Sequence, residues 1–282
     1  MRLGDTRLHL VSDGEYWIDG AGMFGLMPRT EWQELAEPDE QNRICIQLHC
    51  LLVQAGEHTI LVDTGYGDKL SKQERGFMCL EGDRRLIGSL AAVGVAPEDI
   101  DIVINTHLHG DHCGGNTCYD RDGNLVPTFP NAIYYVQRLE LADASFPNER
   151  TRGTYHGENW EPLQRAGLLR VLWGDTRLTG EVRVMVTPGH TPAHQSVVIE
   201  SRGETAVFLA DTAHWPLHME RLEVLTAYDV QPLVTLETKR RLARWAVESR
   251  PLLIFNHHPD GVAGYLHATD QPDRFRLERV AW

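Results

Sequence analysis

The stretch Thr106-His107-Leu108-His109-Gly110-Asp111-His112-Cys113-Gly114-Gly115 places three imidazoles and a carboxylate between His107 and His112. It follows the apolar run Ile102-Val103-Ile104, which reads as a buried strand. A strand that ends and unrolls into His-x-His-x-Asp-His can aim alternate side chains at two neighbouring points. That suits a pair of metal ions better than a single one. Neutral imidazole nitrogens and a carboxylate oxygen match zinc and similar borderline divalent cations. Four ligands are too few to saturate two metals, so further ligands are expected along the chain. His190 follows Val184-Met185-Val186 by a short turn, Asp211 follows Phe208-Leu209-Ala210, and His257 follows Leu252-Leu253-Ile254-Phe255-Asn256. Each lies just past a strand-like run, where the loops of an α/β sheet gather to form a site. Asp63 ends a similar run, Thr59 to Val62, and is expected to orient a ligand loop rather than bind metal.

The elements that must position these groups span most of the 282 residues, so residues 1–282 are expected to form a single domain. Leu8 to Val11 reads as an opening strand, and Ile44 to Val53 with Thr59 to Val62 as a hairpin. The segment 12–43 reads as an irregular loop, with Gly20, Gly22, Gly25, Pro28 and Pro38 and with Trp17, Met23, Phe24, Leu26 and Met27 in no clean period. A loop of that length is expected at the site or in an interface, and a homodimer is expected on that ground. Helices are expected over 84–93, 138–144 and 234–248, the last with Lys239, Arg240, Arg241 and Arg244 on a solvent face. Trp160, Trp173 and Trp245 read as core. Strands precede helices in each half, which suggests two sheets stacked face to face, although periodicity alone leaves several α/β arrangements open.

Composition narrows the partners. A net charge of −13 argues against a polyanionic partner, so no nucleic acid is expected. The five cysteines, Cys45, Cys50, Cys79, Cys113 and Cys118, form neither a paired framework nor a C-x-x-C set, which suits a reducing compartment. The segment Met1 to Arg7 has no apolar signal core, and no run approaches the ~18 apolar residues of a membrane span. A cytoplasmic protein without a membrane partner is the expectation.

Asp63-Thr64-Gly65, His107-x-His109-x-Asp111-His112, His190, Asp211 and His257 together resemble the five ordered motifs of the metallo-β-lactamase superfamily. Flanking segments at 19–25, 38–43, 188–196 and 236–240 are similar to its branch of quorum-quenching lactonases and methyl-parathion-hydrolase-like enzymes. The resemblance implies a four-layer αββα sandwich. It implies that His107, His109 and His190 bind a first divalent cation, that Asp111, His112 and His257 bind a second, and that Asp211 bridges both. Zinc is the default, and iron, manganese or cobalt would accept the same donors. The implied reaction is hydrolysis by a hydroxide shared between the metals, with Asp111 and Asp211 in the catalytic apparatus and Asp111 accepting a proton. His257 matches the family position better than its neighbour His258.

His214 stands where some lactonases of this branch carry a substrate-contacting tyrosine. It is a candidate substrate-binding residue, with His218, Phe24 and Met23. His194 is expected in packing or hydrogen bonding behind the ligands. Redox di-iron relatives carry Glu where His109 stands, so hydrolysis is favoured over oxygen chemistry. The expected substrate is an ester or lactone, an acyl-homoserine lactone among the candidates. An organophosphate triesterase (phosphotriesterase) and a non-catalytic metal-binding protein are the alternatives.

Overall fold

Apolar runs such as Leu51-Leu52-Val53 and Val197-Val198-Ile199 send successive side chains to opposite faces of a sheet, so both faces of such strands need cover. The computed structural model, which describes residues 1–80 and 85–282, shows that cover. Leu51, Val53, Ile60, Val62, Val197, Ile199, Ala206, Phe208, Leu252 and Ile254 form one buried cluster between two sheets. The alternate residues point outward. Leu52 and Leu61 pack with Leu86 and Leu90 of the helix Arg85–Ala92. Val198, Val207 and Leu253 pack with Leu242, Ala243 and Ala246 of the helix Pro232–Ser249. Helix, sheet, sheet and helix therefore stack as an αββα sandwich.

The first sheet has seven strands, in spatial order Arg2–Leu3, Thr6–Asp19, Arg43–Ala55, His58–Val62, Ile102–Ile104, Ile133–Gln137 and Leu169–Leu172. Its last four strands run parallel. The second also has seven, in order Thr176–Arg177, Val182–Val186, Gln195–Ser201, Glu204–Phe208, Leu252–Ile254, Ala263–Ala268 and Phe275–Val280. Val182–Val186, Glu204–Phe208 and Leu252–Ile254 point the same way, because the first two share an antiparallel neighbour and the last two pair in parallel. A two-stranded hairpin, Thr117–Tyr119 with Leu125–Pro127, completes the strands of the described residues. Among those residues no helix is long and apolar enough to cross a membrane.

Several expectations are corrected. The opening strand runs to Asp19 rather than Val11, so the segment 12–43 is not an irregular loop throughout. A β-bulge between Ser12 and Glu15 shifts the register against Arg43–Ala55 and breaks the two-residue period that would have shown the strand. Asp19 then caps the short helix Gly20–Phe24, its Oδ1 accepting from the Ala21 N–H at 2.9 Å. Met23 and Phe24 are fully buried with Trp32 and Trp215, whereas Leu26 is fully exposed. In the C-terminal helix Lys239 is buried and donates to the Val224 carbonyl at 2.6 Å. Burial brings its amine down to about 7. Trp173 is exposed, with the Arg138 guanidinium 5.1 Å from its ring. The helix expected over 84–93 is Arg85–Ala92, residue 84 lying outside the described residues.

Phe208 sits fully buried between the sheets, so Phe208→Ala should cost about 3–5 kcal/mol in denaturant unfolding. Trp173→Ala should change stability by no more than about 0.5 kcal/mol. Equal effects of the two substitutions would contradict the placement of the core.

Candidate metal centre

Parallel strands deliver their following loops to one edge, and here both sheets do so. His58–Val62 leads into Asp63, and Ile102–Ile104 into the cluster from His107 to His112. From the second sheet, Val182–Val186, Glu204–Phe208 and Leu252–Ile254 lead into His190, Asp211 and His257. The two edges are joined where the Gln195 N–H donates to the Thr106 carbonyl at 3.0 Å and Gln195 Nε2 donates to the Asn105 carbonyl at 2.8 Å. Gly189 has φ +139°, and a Cβ there would lie 2.3 Å from Thr235 Oγ1, so only glycine lets the loop carry His190 over the C-terminal helix. Asp63 and Ala210 take left-handed backbone at φ 60° and 47°, Ala210 directly before Asp211. A non-glycine residue in that conformation costs about 1–2 kcal/mol, and it aims the next carboxylate inward.

The side chains meet in two main groups, overlapped by a third made of His190, Asp211 and His214. One ligand atom from each of His107, His109 and His190 lies within 4.8 Å of the others, and the same holds for Asp111, His112, Asp211 and His257. Asp211 spans the two. Its Oδ1 lies 3.2 Å from both His112 Nε2 and His257 Nε2. Its Oδ2 lies 3.3 Å from His190 Nε2 and 3.9 Å from His107 Nε2.

Four of the five rings are fixed by their other nitrogen, while His109 Nδ1 lies 3.1 Å from His190 Nε2 within the cluster. His112 Nδ1 is 2.8 Å from Asp63 Oδ2, and Asp63 also accepts from the Thr106 N–H and hydroxyl, both at 2.8 Å. His190 Nδ1 is 3.2 Å from Asp229 Oδ1, His257 Nδ1 donates to the Gln47 carbonyl at 2.7 Å, and His107 Nδ1 is 3.1 Å from Thr106 Oγ1. His194 accepts from the Asp211 N–H at 3.2 Å, and Asn256 Nδ2 donates to Asp211 Oδ1 at 2.9 Å.

The inward nitrogens His107 Nε2, His112 Nε2 and His257 Nε2 are buried with no hydrogen-bond partner. Buried polar atoms left without partners are costly, and lone pairs on these nitrogens would be met by a cation. Seven nitrogen and oxygen donors in two groups around one shared carboxylate fit two divalent cations. Charge state agrees in part. Burial and the neighbouring His190 push the His109 imidazole down to about 3, and burial with His112 and His109 keeps His107 neutral. Burial opposes ionisation of Asp211, yet the imidazoles of His112, His214, His257 and His190 hold its carboxyl well below the usual range. Burial also opposes charge on His112 and His190. The carboxylates of Asp211, Asp111 and Asp63 nevertheless raise His112 well above its ordinary value, and Asp211 with Asp229 raise His190.

All seven residues singled out as ligands therefore converge, and His257 rather than His258 does so. The His258 ring packs 5.1 Å from that of Trp215, and its Nδ1 accepts from the Asp260 N–H. A cavity of about 310 Å³ opens over the centre, and His109, Asp111, His190, Asp211, His214 and His257 reach it. The other candidates do not. His218 is buried as a neutral ring, its Nδ1 accepting from the Trp215 N–H and its Nε2 donating to the Met23 carbonyl, both at 3.1 Å. Met23 and Phe24 stay in the core beside it. Tyr16 was missed. Its hydroxyl donates to Asp111 Oδ2 at 3.0 Å, and burial with the Asp111 charge keeps it protonated. Asp229 was missed for the same reason: each meets its partner across a long stretch of chain, and no local spacing marks either.

A family model described as the metallo-beta-lactamase superfamily matches residues 44–244. An N-acyl homoserine lactonase of Bacillus cereus is 27% identical over 227 residues, covering 77% of this chain and 83% of its own. A solved structure described as a probable metal-dependent hydrolase from Staphylococcus aureus superposes with a TM-score of 0.88 at 27% identity, covering 100% of both chains. An N-acyl homoserine lactone hydrolase with N-hexanoyl-L-homoserine at its catalytic metal centre gives a TM-score of 0.70 at 25% identity, covering 92% of this chain and 95% of that one.

His112 and His190 must lose protons before they can accept a cation, so uptake by metal-free protein should release protons and weaken as pH falls. Calorimetric titration with zinc in buffers of different ionisation enthalpy measures the release. Binding without proton release at neutral pH would contradict these protonation states.

Proposed function

The chain belongs to the metallo-β-lactamase superfamily, and on that premise we propose that it is a dinuclear metal-dependent hydrolase whose substrates are lactones, acyl-homoserine lactones among them. The observation that carries this reading is the Asp211 carboxylate, which offers one oxygen to each imidazole group at the floor of a cavity. A purely structural metal site needs no such shared ligand and no opening to solvent. The relatives named as N-acyl homoserine lactonases support the substrate class.

His107, His109 and His190 would hold one cation and Asp111, His112 and His257 the other, with Asp211 common to both; zinc is the proposed metal. Two divalent cations there would supply Lewis acidity toward a carbonyl oxygen and water acidified to near pH 7. The protein's own groups do the rest. Asp111 reaches the cavity with Oδ2 fixed by the Tyr16 hydroxyl, placing its carboxylate to accept a proton and return it to the leaving alkoxide. His214 lines the same cavity, its Nε2 3.1 Å from Asp211 Oδ2, so it steadies the shared carboxylate while its ring meets the substrate. Ile18, Ile46 and Val230 give the cavity an apolar wall for an acyl chain. Arg150, Thr151 and Thr154 give it a polar edge for an amide or ester oxygen.

Metal analysis of the purified chain, with hydrolysis assays on a lactone panel and on paraoxon, tests the proposal. About two cations per chain and a lactone kcat/KM far above the paraoxon value are expected. The reverse ranking would replace the lactonase by a phosphotriesterase, and two cations without turnover of either would remove the proposed activity. Asp211→Ala should abolish turnover and lower the metal content. His257→Ala should be severe and His258→Ala mild. Tyr16→Phe should lower kcat about tenfold at unchanged metal content, the scale of a hydrogen bond to a charged group. Unaltered kinetics would remove Tyr16 from the reaction.

A further inference from the structure

Glu140 is fully buried and takes no part in the reaction outlined above. It lies in the first turn of the helix Arg138–Ser145, which follows Ile133–Gln137. That strand runs parallel to Ile102–Ile104, so Glu140 reaches the same edge of the sheet as the ligand loops. Both of its oxygens are used. Oε1 accepts from the Leu108 N–H at 3.0 Å and from the Tyr155 hydroxyl at 3.1 Å. Oε2 accepts from Thr191 Oγ1 at 2.6 Å.

The identities of those donors matter. Leu108 stands between His107 and His109, Thr191 directly follows His190, and the Tyr155 ring is 5.1 Å from that of His109. One carboxylate thus reaches a neighbour of every imidazole in the first group. It makes no hydrogen bond to the second group, whose rings are held by Asp63 and the Gln47 carbonyl. Each group also has a carboxylate behind one of its rings, Asp63 behind His112 in the second and Asp229 behind His190 in the first, but only Glu140 touches the segments that carry all three rings of the first. Among the described residues no lysine or arginine pairs with Glu140, and burial drives its carboxyl up. A buried carboxylate without a cationic partner is expensive to keep.

We propose that Glu140 is a positioning residue for the all-imidazole subsite, holding His107, His109 and His190 at ligand spacing through its bonds to Leu108, Tyr155 and Thr191. The proposal rests on the dinuclear reading above. Carboxylates that orient ligands from behind typically contribute about 10–100-fold in metal affinity. A carboxylate that merely staples a helix to a loop would affect folding without preferring one subsite.

The experiment measures zinc affinity of the full chain in chelator-buffered zinc. In a His257→Ala background the first subsite is left to load, and in a His190→Ala background the second. Glu140→Gln keeps the side-chain shape and exchanges one accepting oxygen for an amide NH2, so that at least one of its donors loses its partner. It should weaken zinc binding about 10–100-fold in the first background and leave the second within about twofold. Equal loss in both backgrounds, or no loss in the first, overturns the proposal. Circular dichroism and thermal melting of the metal-free variants establish that they fold. Should Glu140→Gln not fold, Thr191→Val removes a single donor and should give the same selectivity at about 2–10-fold. An unsubstituted chain that takes up fewer than two zinc ions overturns the dinuclear reading, and this inference with it, before any Glu140 variant is read.

Discussion

A buried imidazole has two nitrogens to satisfy, and the centre of this molecule exists because one of them is satisfied from behind. Asp63, Asp229, Thr106 and the Gln47 carbonyl each take the outward nitrogen of a different ring. The inward nitrogens of His107, His112 and His257 are left without hydrogen-bond partners near Asp211, and that of His190 has only the His109 ring as a hydrogen-bond partner. Removing a rear partner would free the ring to turn, and the inward nitrogen would find another bond. The strained backbone at Ala210 and the glycine before His190 serve the same end, since neither loop could otherwise present its side chain at that angle. The same accounting separates ligand from core. His218 has both nitrogens paired, so nothing about it asks for a metal or a substrate.

Much of this was legible in the sequence because the informative signals were local. Ligand spacing between His107 and His112 is read directly, and the apolar runs before His190, Asp211 and His257 announce strand ends. The two-faced burial of those runs follows from strand geometry once two helices are known to cover them. Signals that failed were those interrupted or long-range. A single bulge between Ser12 and Glu15 hid eight further residues of strand, Ser12 to Asp19. Tyr16, Asp229 and Glu140 meet partners 95, 39 and as many as 51 positions away, distances at which sequence carries no spacing rule.

Lys239 and Trp173 show a second limit, that residue type is a weak guide to exposure. A basic helix face reads as solvated, yet Lys239 is buried and its amine finds the Val224 carbonyl. Thr238, beside it, donates to the Pro188 carbonyl at 2.7 Å in the turn that leads to His190. The C-terminal helix therefore supports the ligand loop from below and the segment after Leu222 from the side. Trp173 reads as core by size, but its place is on the surface under the Arg138 guanidinium.

The proposed ligands arise from both sheets, His107 to His112 from one and His190, Asp211 and His257 from the other. A cation bound by both groups would act as a removable cross-link, present only while the sheets remain docked. At free metal one hundred times its dissociation constant, each such ion would add about 2.7 kcal/mol to the docked state. Proteases act on the opened state, so the lifetime of the chain in a cell would follow metal supply. Scarcity of the metal would then lower the amount of protein as well as the activity of each molecule.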